Sequence, residues 1–349
     1  MPRRLARAPQ PARVGWHSPR CDESGAMVDG RPILLMLRAQ DLGDLLTTVP
    51  AMRALAAAFP THRRVLVTTE LLAPFAVRAG LAEEAVPIRR LVPLVWRHHR
   101  PAIAVDLHDA GPESHRVLLE TYPARLIAFR HPLVPQSWDA PEWHADEDDV
   151  LRWCRLLDRS GVAADPSRLE IALPPRPVPA EAIDATVLHP GDAGGRRRWP
   201  LERWVEIALA ESLEGRVVLI TGSAAERSLG LVIAHRAGLP PSVVWAGRTD
   251  PLALAAIVHR AARVVCGDTG IAHLATALRT PSVVLSGSHG ATADAGLASI
   301  TVQDVLTALA DLPAATARRA STRPLEPAAG SSPASAFHVP SGTAGPPAR

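Results

Sequence analysis

Along most of the chain, short runs of consecutive apolar residues alternate with stretches in which apolar residues recur every three or four positions. The first run, Ile33–Leu37, contains no polar position, as expected of a strand covered on both faces in a parallel sheet. After the polar stretch Arg38–Asp44, apolar residues at Leu45, Val49, Met52, Leu55 and Phe59 recur at helical spacing and stop at Pro60. Val65–Thr68 predicts a second strand and Leu71–Ala79 a helix, while Ala102–Leu107 and Leu126–Phe129 predict further strands. Val150, Leu151, Trp153, Leu156 and Leu157 line one face of another helix. The prolines of residues 169–183 are too dense for a helix or a central strand, so this stretch reads as a linker.

A second series of the same kind follows. It predicts a strand at Thr186–His189, a helix at Leu201–Leu213, a strand at Val217–Thr221 and a helix at Ala224–Ala237. The apolar run Val243–Trp245 and a helix at Leu252–Arg260 lead into VVCGDTGIAHLATALRTPSVVLSG, residues 264–287. That last stretch reads as strand, turn, helix and strand, and Val302–Leu312 as a closing helix. Strands alternating with helices imply parallel pairing through right-handed crossovers, with ligands at the carboxyl ends of the strands. The resulting division is a leader (1–30), an α/β domain (31–168), a linker (169–184), a second α/β domain (185–312) and a tail (313–349), leader and tail being unstructured.

Composition narrows the function. Of 349 residues 47% are apolar, ample for two cores. One Tyr and four Phe leave little for base stacking, and 38 basic against 35 acidic residues give no basic domain, so nucleic acid is not an expected partner. Cys21, Cys154 and Cys266 lie far apart without metal or redox spacing and read as reduced thiols. No apolar run reaches the roughly eighteen residues of a membrane helix. The opening MPRRLARAPQPARVG has no apolar segment after its arginines, so a cytoplasmic location is expected, with Met27 as an alternative initiator.

Five stretches carry candidate chemistry. In Gly267-Asp268-Thr269-Gly270 the glycines admit close backbone approach, and the N–H groups opening the following helix favour a phosphate; the same residues also fit a tight turn in which Asp268 or Thr269 caps the helix. The loop of residues 190–200 joins Gly191, Gly194 and Gly195 to Arg196, Arg197 and Arg198, whose guanidinium groups suit a phosphate, although a solvated basic loop has the same composition. Glu226 follows a strand-to-helix turn, where it either accepts from ribose hydroxyls or favours the helix N-terminus through the dipole. Asp44 sits after the first strand as a general base or as a helix cap, and a helix dipole lowers a carboxylate's pKa and so weakens it as a base. The acidic tetrad Asp146-Glu147-Asp148-Asp149 contains an Asp-x-Asp match for a divalent cation, yet such tetrads at a helix start serve more often as surface charge. No Walker loop, dinucleotide glycine motif, nucleophile elbow or zinc spacing is present.

Taken together and in this order, MLRAQDLGDLLTTVPAMRAL, LHPGDAGGRRRWPLERWVEIA, TGSAAE and VVCGDTGIAHLATALRTPSVVLSG resemble glycosyltransferase family 9, the ADP-heptose lipopolysaccharide heptosyltransferase family, over roughly residues 32–312. The resemblance implies a GT-B architecture, two Rossmann-like domains facing a cleft. It also implies inverting, metal-independent transfer, without a cofactor, from a nucleotide-diphosphate sugar to a glycan or lipid-linked acceptor, with at most peripheral membrane contact. Carried over by position, Asp44 matches the catalytic base; Asp268, Thr269, Gly270, Ile271 and His273 match the donor-diphosphate and sugar site; and Glu226 matches the acid near the donor ribose. Arg197, with Arg198 beside it, stands where the family often carries a phosphate-contacting Lys. After Leu285 the chain departs from the family pattern and is shorter, which bears on enclosure of the donor. Two other readings remain open: another nucleotide-sugar enzyme such as an epimerase, and a nucleotide-sugar-binding protein without turnover.

Overall fold

The computed structural model describes residues 30–191, 199–286 and 297–313. Residues 1–29, the arginine loop 192–198, the stretch 287–296 and residues 314–349 lie outside them, and with them fall Arg197, Arg198, Cys21 and most of the shortened segment after Leu285.

The apolar run Ile33–Leu37 is β1 and every one of its residues is buried, as a strand covered on both faces requires. It is the centre of a five-stranded sheet with β2 (Arg63–Thr69), β3 (Glu84–Ile88), β4 (Ile103–Asp106) and β5 (Arg125–Ile127), in the order β3-β2-β1-β4-β5. All four pairings are parallel, with Leu37 opposite Val67 on one side and Asp106 on the other. The second sheet contains β6 (Thr186–His189), β7 (Val218–Ile220), β8 (Arg263–Gly267) and β9 (Ser282–Leu285), in the order β7-β6-β8-β9 and again parallel throughout.

Three local features differ from the sequence pattern. The helix expected through Phe59 is two helices, α1 (Leu42–Thr47) and α2 (Val49–Ala58). Pro50 lies in the first turn of α2, where its missing N–H costs nothing, whereas one continuous helix would place it in the interior. β3 carries Pro87 and begins on an acid, a composition that argues against a strand; as an edge strand it tolerates the lost ladder donor. The apolar run Val243–Trp245 is no strand: Val243 closes a 3₁₀ turn (Pro241–Val243) and Val244 makes a single bridge to Ile220. By contrast α6 (Leu201–Leu213) has the expected limits, and α3 (Ala73–Arg78), α4 (Glu113–Leu119), α5 (Asp149–Arg159), α7 (Arg227–Arg236), α8 (Pro251–Arg260), α9 (Gly270–Ala277) and α10 (Val302–Ala310) complete the helices discussed below.

In the first sheet the chain adds β2 and β3 on one side of β1 and then crosses to β4 on the other. In the second it adds β7 beside β6 and crosses to β8. Each sheet therefore has a switch point, between β1 and β4 and between β6 and β8, where the loops leave in opposite directions and open a crevice at the carboxyl edge. One buried apolar cluster runs from Leu34 and Met36 of β1 through Leu45 and Leu46 of α1 to Ile271, Leu274 and Ala275 of α9, so the two sheets share a core. The opposite face of the first sheet, carrying Ile33, Leu35 and Leu37, has a separate cluster, and a third surrounds Leu188, Trp204 and Ile220.

Candidate active site

The two switch points meet through backbone. A Cβ on Gly43 would lie 2.9 Å from the Cα of Gly270, and one on Gly270 would lie 3.0 Å from the Gly43 nitrogen. Real side chains do not fit such spacings, so only glycine at both positions lets the N-terminus of α1 touch that of α9. This contact sets Asp44 beside the turn Asp268-Thr269-Gly270.

On the α1 side the groups are held tightly. Asp41 is the cap of α1, its carboxylate accepting from the Asp44 N–H at 2.9 Å, while the Asp44 carboxylate accepts from the Asp41 N–H at 3.3 Å. Asp44 is thus the third residue of a capping box rather than the cap that its position suggested. Its other oxygen accepts from Arg38 Nη2 at 3.0 Å. Arg38 is almost fully buried. It also donates through Nε to the Asp44 carbonyl and through Nη1 to the carbonyls of Leu107 and His108, each at 2.8 Å, and lies 5.0 Å above the Trp153 ring. One guanidinium therefore joins the loop after β1 to the loop after β4. Burial raises the Asp44 pKa above its ordinary value, and the charge of Arg38 offsets only part of that rise. The expected weakening of Asp44 by the helix dipole is accordingly outweighed by desolvation.

The loop after β4 is equally ordered. His108 accepts the Ala39 N–H at Nδ1, 3.1 Å, which leaves its proton on Nε2 when neutral, and burial lowers its pKa against the pull of Asp109 and Asp106. His115 and Asp106 are fully buried and paired at 2.7 Å. Burial opposes charge on His115, yet the bond to Asp106 and the Phe129 carbonyl at Nε2 outweigh it and raise its pKa. Ser114 donates to Asp109 at 2.5 Å. His115 presents Nδ1 to both Ser114 and Asp106, an arrangement that fixes the loop and does not activate a nucleophile.

The α9 side is built in the opposite way. Thr269 occupies the cap position of α9 without a side-chain cap bond, and its Oγ1 is buried with no hydrogen-bond partner, so the capping role considered for this turn is not realised. Asp268 is exposed in the turn and His273 lies partly buried one turn into α9. At the neighbouring edge Glu226 accepts from the Ser223 N–H at 2.7 Å, and a Cβ on Gly191 would fall 2.0 Å from its carboxylate. Gly191 is therefore required for Glu226 to reach the root of the arginine loop. His189, bonded to Thr221 Oγ1 at 2.9 Å, is held down to about 4 by burial, partly offset by Glu226.

Three acids of the tetrad are otherwise engaged. Asp148 caps α5 through the Leu151 N–H, Asp149 pairs with Arg152, and Glu147 receives Arg155 at 2.6 and 2.8 Å. Among the described residues no group of three or more His, Cys, Asp or Glu is placed to hold a metal ion. Cys154 and Cys266 are buried, and burial pushes their thiols up to about 11 and about 12. A cavity of about 890 Å³, lined by α3, the start of β3, the proline-rich stretch 173–178 and α8, includes none of these groups. Among the described residues no helix is long and apolar enough to cross a membrane.

Arg38, which holds Asp44 and the two loops together, is the residue of this site that the sequence pattern missed. A lone arginine after a strand carries no periodic signal, and two of its acceptors lie 69 and 70 positions away.

Two parallel sheets of Rossmann type, joined at their switch points, make up a GT-B fold. The profile of glycosyltransferase family 9 (heptosyltransferase) matches residues 144–321, half of the chain, and the protein belongs to that family. No curated protein sequence matches the chain. Among solved structures it is similar to a glycosyl transferase family 9 protein from Veillonella parvula, with 16% identity, 82% of this chain and 98% of that one covered, and a TM-score of 0.67. It is also similar to the E. coli heptosyltransferase WaaC with ADP-2-deoxy-2-fluoro heptose, with 18% identity, 79% and 98% covered, and a TM-score of 0.60. A third is the iron-containing dodecameric glycosyltransferase TibC from enterotoxigenic E. coli, with 13% identity, 80% and 75% covered, and a TM-score of 0.53.

Proposed function

We propose that the protein transfers a sugar, with heptose the first to test, from a nucleotide-diphosphate donor to a glycan or lipid-linked hydroxyl acceptor, with inversion and without a metal. The observation that carries this reading is the Gly43–Gly270 contact, which sets a desolvated carboxylate beside a helix N-terminus that no side chain caps.

Asp44 takes the proton of the acceptor hydroxyl as its oxygen attacks the anomeric carbon. The new carbon–oxygen bond forms on the face opposite the one that breaks, and the electron pair of the broken bond leaves on the diphosphate. A single displacement inverts the centre. The N–H groups of Gly270 and Ile271 and the unpartnered Thr269 hydroxyl face the growing negative charge, and preorganised donors there lower the barrier. Arg197 and Arg198, on the loop rooted at Gly191, add positive charge on the same reading. Asp268 and Glu226 accept from hydroxyls of the sugar and the ribose, and His273 completes the donor side. Arg38 keeps the Asp44 carboxylate in one orientation while its own charge stays buried.

EDTA should leave turnover unchanged. Loss of activity with EDTA and recovery with Mg²⁺, Mn²⁺ or iron would contradict the metal-free step, and TibC, described as iron-containing, makes iron a necessary arm of that test. Sugar released without any acceptor would instead identify a hydrolysing or epimerising enzyme, and donor binding without product under any acceptor a binding protein.

A further inference from the structure

The crossover from β3 to β4 has no helix. Residues 89–100, RRLVPLVWRHHR, return across the sheet as an extended strap. Arg89 at its start bonds Glu70 at the end of β2, and His98 near its end lies 3.2 Å from Glu84 at the start of β3, so the strap runs from the carboxyl edge to the amino edge. Leu91, Leu94 and Trp96 turn inward onto the cluster of Ile33, Leu35 and Val67. Alternation then sends Val92, Val95 and Arg97 outward.

We propose that this outer face docks on an anionic lipid bilayer. Between Ala85 and Val105 there is no acidic residue, and the guanidinium groups of Arg90, Arg97 and Arg100 have no partner among the described residues. The nearby acids are spent: Glu70 on Arg89, Glu83 on Arg31 and Arg64, Glu84 on Arg63 and His98. Between the free arginines stand Val95, 81% exposed, and Val92, with Leu71, 63% exposed, beside the strap's first residue through Glu70. Cations flanking protruding aliphatic groups match the layered chemistry of a bilayer surface, charged headgroups above an apolar boundary. A single-stranded nucleic acid would call for exposed aromatic faces, and the strap's one large aromatic, Trp96, is turned inward with its Nε1 bonded to the His99 carbonyl; a duplex would meet only phosphates and leave the protruding valines without a partner. The strap leaves the carboxyl edge two strands from β1, about 10 Å at ordinary strand spacing. The strap covers the face of the sheet opposite α1, so on the proposed function a lipid-linked acceptor resting there reaches Asp44 over the carboxyl edge.

Co-sedimentation of the full chain with vesicles tests this, using phosphatidylcholine alone and phosphatidylcholine with about 30% phosphatidylglycerol as the anionic lipid. The protein should bind the anionic vesicles only, and less as salt rises. The triple variant Arg90→Gln, Arg97→Gln, Arg100→Gln should bind roughly a hundredfold more weakly, about fivefold per arginine. Val95→Ser should weaken binding by a smaller factor. A control with the same charge change on other faces, Arg159→Gln, Arg168→Gln, Arg236→Gln, should bind like the parent. The proposal fails if neutral and anionic vesicles bind alike, if neither binds, if the strap triple binds like the parent, or if the control loses as much. Retention on an oligonucleotide or an acidic protein without retention on vesicles also overturns it. Donor affinity, measured by calorimetry without vesicles, is independent of these outcomes, so failure here and failure of the glycosyltransferase mechanism are read separately.

Discussion

The two helix N-termini that touch at Gly43 and Gly270 are built on opposite plans. At α1 the carboxylates have internal partners: Asp41 and Asp44 bond each other's N–H groups, and Arg38 ties Asp44 to the carbonyls of Leu107 and His108. At α9 the cap residue makes no cap bond, its hydroxyl is buried without a partner and Asp268 stands exposed. Internal bonds fix a group in place but use up its capacity to bind. On the proposed function the two ends take different tasks, with α1 presenting one carboxylate in a fixed pose and α9 leaving its donors for a ligand.

The largest effect expected from breaking this contrast is at Arg38. Arg38→Met strands the carbonyls of Leu107 and His108 and leaves Asp44 half-buried without its counter-charge, so a stability loss of about 3–5 kcal/mol is expected, read as the midpoint in urea. A loss below about 1 kcal/mol would show that the α1 side is not held as described. Gly270→Ala comes next. The added Cβ meets the Gly43 backbone, which must move, at a cost of about 1–3 kcal/mol, and the displaced helix ends should lower turnover as well. Parent-like melting and turnover would separate the contact from the function.

The smallest effect is a displacement in pH. A base works only when ionised, and burial raises the Asp44 pKa, so activity should fall as pH drops through a value above the ordinary carboxylate range of about 4. The limb belongs in the profile of kcat/KM, which reports the free enzyme. An acid limb at or below about 4 would remove the desolvation that the mechanism uses.

Much of this was legible in the sequence, for identifiable reasons. Uninterrupted apolar runs such as Ile33–Leu37 and the glycine-marked turn after β8 have signatures that tertiary contacts reinforce, and α6 kept its limits because its apolar spacing is long and regular. β3 was not legible, because Pro87 and Glu84 contradict strand composition and only its edge position makes them tolerable. The break at Thr48 and the choice of Asp41 over Asp44 as cap depend on which N–H groups a carboxylate reaches, a matter of angles rather than of residue type. The role of Arg38 arises from carbonyls on another strand's loop and has no local trace at all.

The division of labour between the two helix ends is tested most directly by measuring donor affinity and turnover on the same two variants. Calorimetric titration with a nucleotide-diphosphate sugar and kcat with a matched acceptor should separate them. Asp44→Asn should keep the parent's donor Kd and lower kcat about a hundredfold or more, and Asp268→Ala should raise the donor Kd by roughly tenfold or more. Near-normal turnover in Asp44→Asn, or donor affinity lost in Asp44→Asn and retained in Asp268→Ala, would contradict the account.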